Sequence, residues 1–102
     1  MDKYELKEVR GRILKVLQNA YPDREGHLVI SKFLSDVGYE ITPQEVIRQM
    51  DYLAGKGYIE KQTIKDEKHG IYREMGKLTP IGYDLVTGIA PDDPAIEVTG
   101  LE

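Results

Sequence analysis

The chain has 102 residues, of which 40% are hydrophobic and 31% charged, a composition that suits one soluble globular domain with its own core. It contains no cysteine, which excludes a disulfide framework, a thiolate metal site and a cysteine nucleophile. No apolar run reaches membrane-spanning length, and the N-terminus lacks the apolar stretch of a signal peptide. We therefore expect a cytoplasmic location and no membrane association.

The formal net charge of −4 is concentrated near the C-terminus. Residues 1–83 carry 14 Lys/Arg and 13 Asp/Glu, whereas residues 84–102 carry five acidic residues and no basic one. We expect a nearly neutral folded domain over residues 1–87 and an extended acidic tail over residues 88–102. Such a domain is less basic than many DNA-binding domains, because phosphate neutralisation supplies much of their affinity.

The first predicted helix spans residues 3–20 and has one apolar stripe at a period of 3.6 residues. Pro22 ends it, because proline lacks a backbone donor and disfavours helical geometry at Tyr21. The members of the stripe are Val9, Ile13, Val16, Leu17 and Ala20.

A turn over residues 23–26, a short strand at residues 27–28 and a second helix over residues 29–37 are predicted next. Gly38 can adopt the left-handed geometry that closes a helix. Two short helices separated by a tight turn that contains glycine match the description of a helix-turn-helix.

The third helix has the best-defined start, because Thr42 can cap its N-terminal amides and Pro43 suits the first helical position. Glu45, three residues after the cap, completes a predicted capping box. Gly55 and Gly57 then provide a helix stop before a strand. The predicted buried stripe comprises Val46, Met50, Leu53 and Ala54.

Residues 58–65 and 71–77 are predicted to form a hairpin with its tip at residues 66–70. Hydrophobic alternation is poor, since Lys61 and Thr63 share a face with Ile59. Poor alternation is typical of a hairpin that projects into solvent beyond the core. Thr79 and Pro80 repeat the cap-and-proline pattern and begin a last short helix. Its predicted docking residues are Ile81, Leu85 and Val86.

The order helix, short strand, two helices, two strands and helix predicts a mainly α fold with a small β-hairpin, in the α+β class. Its arrangement is that of a winged helix-turn-helix.

Two segments resemble known winged-helix regulators. Residues 53–59, Leu-Ala-Gly-Lys-Gly-Tyr-Ile, resemble the signature of leucine, two spacers, glycine, aromatic residue or leucine, and isoleucine. Residues 78–82, Leu-Thr-Pro-Ile-Gly, resemble the segment that follows the wing in PadR, ArsR and MarR-like groups. The resemblance covers about residues 8–87. The final stretch, in which Pro-Asp-Asp-Pro follows a glycine, also resembles small winged-helix proteins of Mu-like phages.

The resemblance implies that the helix over residues 42–56 is a recognition helix that enters the major groove of DNA. Gln44 can pair with adenine and Arg48 with guanine. Glu45 and Asp51 offset the basic residues of this helix, so an exposed ion pair is the alternative interpretation of Arg48. The implied contacts from this helix are Thr42, Gln44, Arg48 and Tyr52.

The hairpin over residues 58–77 takes the place of the wing in this resemblance, and basic side chains surround its tip. They are candidates for contact with phosphate or the minor groove, as is one lysine on the second helix. The alternative is a mixed-charge hairpin that stays soluble and unpaired at its edge. The candidates are Lys32, Lys65, Lys68, His69 and Arg73.

Catalytic and metal-binding motifs are not found. His27 and His69 are far apart and have no companion ligands at metal spacing. Ser31 and Ser35 lie outside any nucleophile motif. We therefore expect no enzymatic activity, no metal and no cofactor.

Two functional hypotheses remain. The first is a sequence-specific transcriptional regulator that binds double-stranded DNA as a homodimer, with the first helix and the tail as dimer surfaces. The second is a winged helix that binds proteins and not DNA, with the acidic tail available to a protein partner. A continuous basic stripe through Lys32, Arg48, Lys65 and Arg73 would favour DNA, and a broken one would favour protein. The apolar residues of the tail are Ile89, Ile96, Val98 and Leu101.

Overall fold

The computed structural model describes residues 1–99 as an α+β domain with four helices and a three-stranded antiparallel sheet. This confirms the predicted fold class. The elements are α1 (Lys3–Ala20), β1 (Glu25–Gly26), α2 (His27–Asp36), α3 (Pro43–Gly55), β2 (Ile59–Asp66), β3 (Ile71–Leu78) and α4 (Pro80–Val86).

Helix α1 begins where Asp2 caps it, accepting hydrogen bonds of 2.9 Å from the backbone amides of Tyr4 and Glu5. It ends at Tyr21, before the proline, as predicted. The buried residues of α1 recur with the expected helical period. Leu14, which is not in the predicted stripe, is fully buried, and Val16, which is, is only partly buried. Every helix within the described residues is too short or too polar to cross a membrane.

The short strand lies two residues earlier than predicted. Glu25 and Gly26 pair with Gly76 and Met75 of β3, and His27 already begins α2. The predicted strand at residues 27–28 is therefore wrong, as is the helix start at residue 29. The reason is a long-range contact: the His27 side chain is buried and accepts a 3.0 Å hydrogen bond from the backbone amide of Glu74.

Glycines close two helices in the left-handed conformation. Gly38 has φ +102° after α2, which confirms its predicted role, and Gly57 has φ +84° after α3. In both turns an amide bonds back to the last turn of the helix, from Tyr39 to Leu34 and from Tyr58 to Leu53, each at 3.0 Å. These two turns set the direction of the chain from α2 toward α3 and from α3 toward β2.

The hairpin is formed as predicted, with Ile59 opposite Leu78 near the core and Asp66 opposite Ile71 at the tip. β3 is the central strand, because β1 pairs with its other edge. The residues near the core are buried and most of those toward the tip are exposed. The molecule measures 44 × 28 × 21 Å.

Helix α4 begins at the predicted cap, where the Thr79 hydroxyl accepts a 3.1 Å hydrogen bond from the Gly82 amide. Leu85 and Val86 are buried as expected. Ile81 is 61% exposed, so its predicted docking role is wrong. In this seven-residue helix Gly82 is buried next to Ile81, and the isoleucine side chain points to solvent.

Residues 93–98 pack against the body of the domain. Ile96 and Val98 are buried, and the Glu97 amide donates a 3.0 Å hydrogen bond to the carbonyl oxygen of Lys7 on α1. These two apolar side chains, expected to serve a dimer contact, are thus covered by their own chain. Ile89 is exposed, and Leu101 lies outside the described residues.

Candidate nucleic-acid interface

Helix α3 presents an exposed row that contains Gln44, Arg48 and Asp51. These positions share one helical face, because residues three and four apart are neighbours on a helix. The row begins beside Thr42, whose hydroxyl accepts a 3.1 Å hydrogen bond from the Glu45 amide. Thr42 therefore acts as a helix cap, and its exposed position leaves it at the start of the same face.

The Glu45 side chain does not complete the predicted capping box. Its carboxylate accepts hydrogen bonds of 3.0 Å from the Arg48 guanidinium and 2.9 Å from the Gln49 amide, both on its own helix. The hydrogen bond from Gln49 is the largest cause that lowers the pKa of Glu45, with Arg48 adding to it. Arg48 thus forms the exposed ion pair that was the alternative to base contact.

Tyr52 lies at the margin of this row, half-buried between α3 and α1. The Arg10 guanidinium lies 3.7 Å from the centre of the Tyr52 ring. Arg10 also donates hydrogen bonds of 2.9 Å to the Gln49 side chain and 3.2 Å to the Ala95 carbonyl. The tyrosine ring is therefore occupied by a cation–π contact on the α1 side.

The basic side chains of the hairpin do not form one stripe. Lys65 pairs with Glu67 at 3.2 Å, and the His69 ring lies 2.7 Å from the Asp66 carboxylate. Arg73 donates to the Tyr72 carbonyl at 3.0 Å, and Lys68 lies in the exposed tip. Lys65 and Arg73 face opposite sides of the hairpin.

The strand register fixes that arrangement, because Lys65 is opposite Tyr72 and Arg73 is opposite Ile64. On α2, Lys32 pairs with Asp36 at 3.2 Å. The stripe whose continuity would favour DNA is thus interrupted by carboxylates at three of its four positions, an outcome that favours a protein partner. These ion pairs are largely exposed, and pairs of that kind contribute only about 0–1 kcal/mol, so they exchange readily for other anions.

A polar network around the buried carboxylate of Glu74, not predicted from the sequence, connects α3 to the hairpin. Lys61 on β2 contacts both the Asp51 carboxylate on α3 and, at 3.1 Å, the Glu74 carboxylate on β3. Glu74 also accepts hydrogen bonds of 2.8 Å from Thr63 and 2.6 Å from Tyr72. Burial opposes ionisation of Glu74, but these donors outweigh it and lower its pKa.

The signal for this network was the poor alternation of β2, where Lys61 and Thr63 share the inner face with Ile59. Both side chains contact the Glu74 carboxylate, Lys61 from a partly buried position and Thr63 from an exposed one. Lys61 offsets only part of the charge of Asp51 on the exposed face of α3, because it also pairs with Glu74. The network extends to α2 through the hydrogen bond between the Glu74 amide and the His27 ring.

The environment of His27 favours its neutral form. Burial is the main cause that lowers its pKa, and the positive charges of Arg73 and Lys61 act in the same direction against the opposing charge of Glu74. Its Nδ1 atom serves as the acceptor for the Glu74 amide. No group of three or more metal-binding side chains forms within residues 1–99.

No protein-family model matches this chain, and no curated protein matches it either. The functional interpretation therefore depends on the geometry of α3 and the hairpin.

Proposed function

We propose that this protein is a winged helix-turn-helix that binds double-stranded DNA, with α3 in the major groove and the β2–β3 hairpin as the wing. The observation that carries the proposal is the exposed row of Gln44 and Arg48 on a capped helix, beside a hairpin with Lys68 at its exposed tip. A major groove about 12 Å wide accepts one α-helix with its side chains.

The side chains of the row have the chemistry for base recognition. The Arg48 guanidinium can form two hydrogen bonds to guanine, and the Gln44 amide can pair with adenine, each worth about 1–3 kcal/mol of discrimination. The exposed pair with Glu45 is a small barrier, because Arg48 exchanges one exposed anion for another partner. Lys61 partly offsets the negative charge of Asp51 on the same surface.

We further propose that the protein acts as a homodimer in transcriptional regulation. One short helix reads only a few base pairs, and two helices related by a two-fold axis read two half-sites. A dimer therefore gains specificity that a single domain of this size lacks.

The proposal is tested by titrating wild-type protein into fluorescent duplex DNA of mixed sequence at several salt concentrations. Affinity should fall as salt rises, because bound protein releases counterions from phosphate. Arg48→Ala and Lys68→Ala should each weaken binding. Lys3→Ala, an exposed lysine in the first turn of α1, is the matched control and should bind as wild type. Absence of binding at low salt, or equal behaviour of all three variants, would refute DNA binding.

A second candidate is a winged helix that binds protein and not DNA. It is favoured by the carboxylates that pair with Lys32, Arg48 and Lys65, and by the exposed apolar side chains on α2. In that case the titration shows no DNA binding even at low salt.

A further inference from the structure

The outer face of α2 carries an apolar row that the DNA-binding proposal does not use. Val29, Phe33 and Val37 follow one another at intervals of four residues, the spacing that places side chains along one helix face. They are 54%, 37% and 44% exposed. Contiguous exposed apolar surface of this kind marks an interaction site more often than scattered single residues do.

The sheet extends this surface. Leu28 and Val29 at the start of α2 line a groove of about 240 Å³ together with Ile64 and Met75 of the hairpin. Glu25 and Arg73 also line it, one acidic and one basic. The groove and the α2 row share Val29, so they form a single surface, which we call the α2 face.

The charges on the α2 face are balanced. Lys32 and Asp36 lie one helical turn apart beside the apolar row and pair with each other at 3.2 Å. If a second α2 packs antiparallel to the first, Asp36 of the second copy comes within reach of Lys32 of the first. By symmetry, Asp36 of the first copy then reaches Lys32 of the second. A two-fold interface requires such a self-complementary patch.

We propose that the α2 face binds a second copy of this chain in an antiparallel, two-fold arrangement. This deepens the proposed function by naming the surface that pairs the two copies. On the alternative surface expected from sequence, α1 with the tail, Ile96 and Val98 are buried against their own domain and do not face a partner. In such a dimer Lys32 pairs with Asp36 of the second copy and does not contact DNA phosphate.

The expected dimer is reversible. α2 has ten residues and is about 15 Å long, so its contact is smaller than an obligate interface of 2,000 Å² or more, even with the groove included. Monomer and dimer should therefore exchange as protein concentration changes.

The test is analytical ultracentrifugation of the full chain, without DNA, over a series of protein concentrations. The wild-type mass should rise toward twice the monomer mass. Phe33→Glu should weaken association about tenfold or more, because it places charge in the centre of the apolar row. Ile81→Glu is the matched control: Ile81 is exposed on α4, and its variant should associate as wild type. Circular dichroism verifies that both variants are folded.

Charge exchange tests the antiparallel pairing. Lys32→Glu brings acids opposite acids and should weaken association, whereas the double variant Lys32→Glu with Asp36→Lys should restore it. A wild type that remains monomeric throughout, or a Phe33→Glu variant that dimerises normally, would overturn this inference. A monomer that binds DNA refutes the α2 interface and the homodimer but leaves DNA binding standing, and a dimer that does not bind DNA refutes only the proposed DNA binding.

Discussion

The Tyr58 hydroxyl donates a 2.7 Å hydrogen bond to the Asp93 carboxylate, which joins the turn after α3 to the C-terminal segment. The same carboxylate pairs with Lys56 at 2.8 Å and accepts a 2.9 Å hydrogen bond from the Ala95 amide. Burial alone would raise the pKa of Asp93, but these donors outweigh burial and lower it to about 2. The nearly buried carboxylate of Asp93 therefore holds the C-terminal segment against the turn after α3.

Asp93→Asn should lower the free energy of unfolding by about 2 kcal/mol near pH 7, because the shift from 3.8 to about 2 has that value. The folded-state pKa is the lower one, so this contribution is present above about pH 4 and is lost as pH falls toward 2. Urea denaturation over a pH series measures both effects. Asp92→Asn, at the exposed neighbouring residue, is the control, and equal losses in the two variants would contradict the prediction.

Acidification should weaken the domain through His27 as well. Burial lowers the pKa of folded His27 below the usual value of 6.5, so the unfolded chain takes up the proton first. The contribution of His27 to the free energy of unfolding is therefore complete above about pH 6.5 and decreases as the pH falls below that value. Protonation at Nδ1 also removes the acceptor for the Glu74 amide.

Chemical denaturation of wild type, His27→Gln and His69→Gln at about pH 8 and about pH 5 checks this effect. His27→Gln should show a smaller loss of stability between the two pH values. His69→Gln, which changes an exposed histidine at the hairpin tip, is the matched control. Identical pH dependence in all three proteins would exclude the proposed role of His27.

Gly82→Ala should destabilise the protein by about 1–3 kcal/mol or more. A Cβ atom at Gly82 would overlap the carbonyl oxygen of Tyr58 and lie 2.9 Å from its carbonyl carbon, and backbone atoms cannot move aside cheaply. Gly55→Ala is the matched control, because open space surrounds that position in α3. Its stability should be unchanged or higher by up to about 1 kcal/mol. Thermal unfolding measures both, and similar midpoints would contradict the packing argument.

Lys61 and Glu74 should be energetically coupled. Lys61→Met removes the cation from a buried carboxylate, whereas Glu74→Gln removes its charge and retains an acceptor for Thr63 and Tyr72. A double-mutant cycle of unfolding free energies should give about 1–3 kcal/mol of coupling. The exposed pair of Lys65 and Glu67 should give less than about 1 kcal/mol. Additive effects of the two substitutions would show that Lys61 and Glu74 are not coupled in free energy.

The parts of the fold that the sequence predicted depend on local chemistry. Thr42 and Thr79 cap helices with their own hydroxyls, and Gly38 closes α2 through its own backbone. These signals lie within a few residues of the structure they determine. The hairpin also follows from adjacent segments.

The parts that the sequence missed depend on residues distant in the chain. His27 is the first residue of α2 because its ring accepts a hydrogen bond from the Glu74 amide. The C-terminal segment packs against the domain because Asp93 accepts a hydrogen bond from Tyr58. Similarly, the contact of the Tyr52 ring with Arg10 joins α3 to the distant helix α1. A helical period identifies the buried face, but it does not identify which other element approaches its margin.

The hydrogen bond from Glu97 to Lys7 has a topological consequence, because the chain returns to its own first helix. The beginning of α1 and the segment around residue 97 are spatial neighbours, so the path of the backbone is nearly a closed ring. A short linker between them, with a new opening at Gly70 in the exposed hairpin tip, would yield a circularly permuted protein that keeps the packing of α1, α2 and α3.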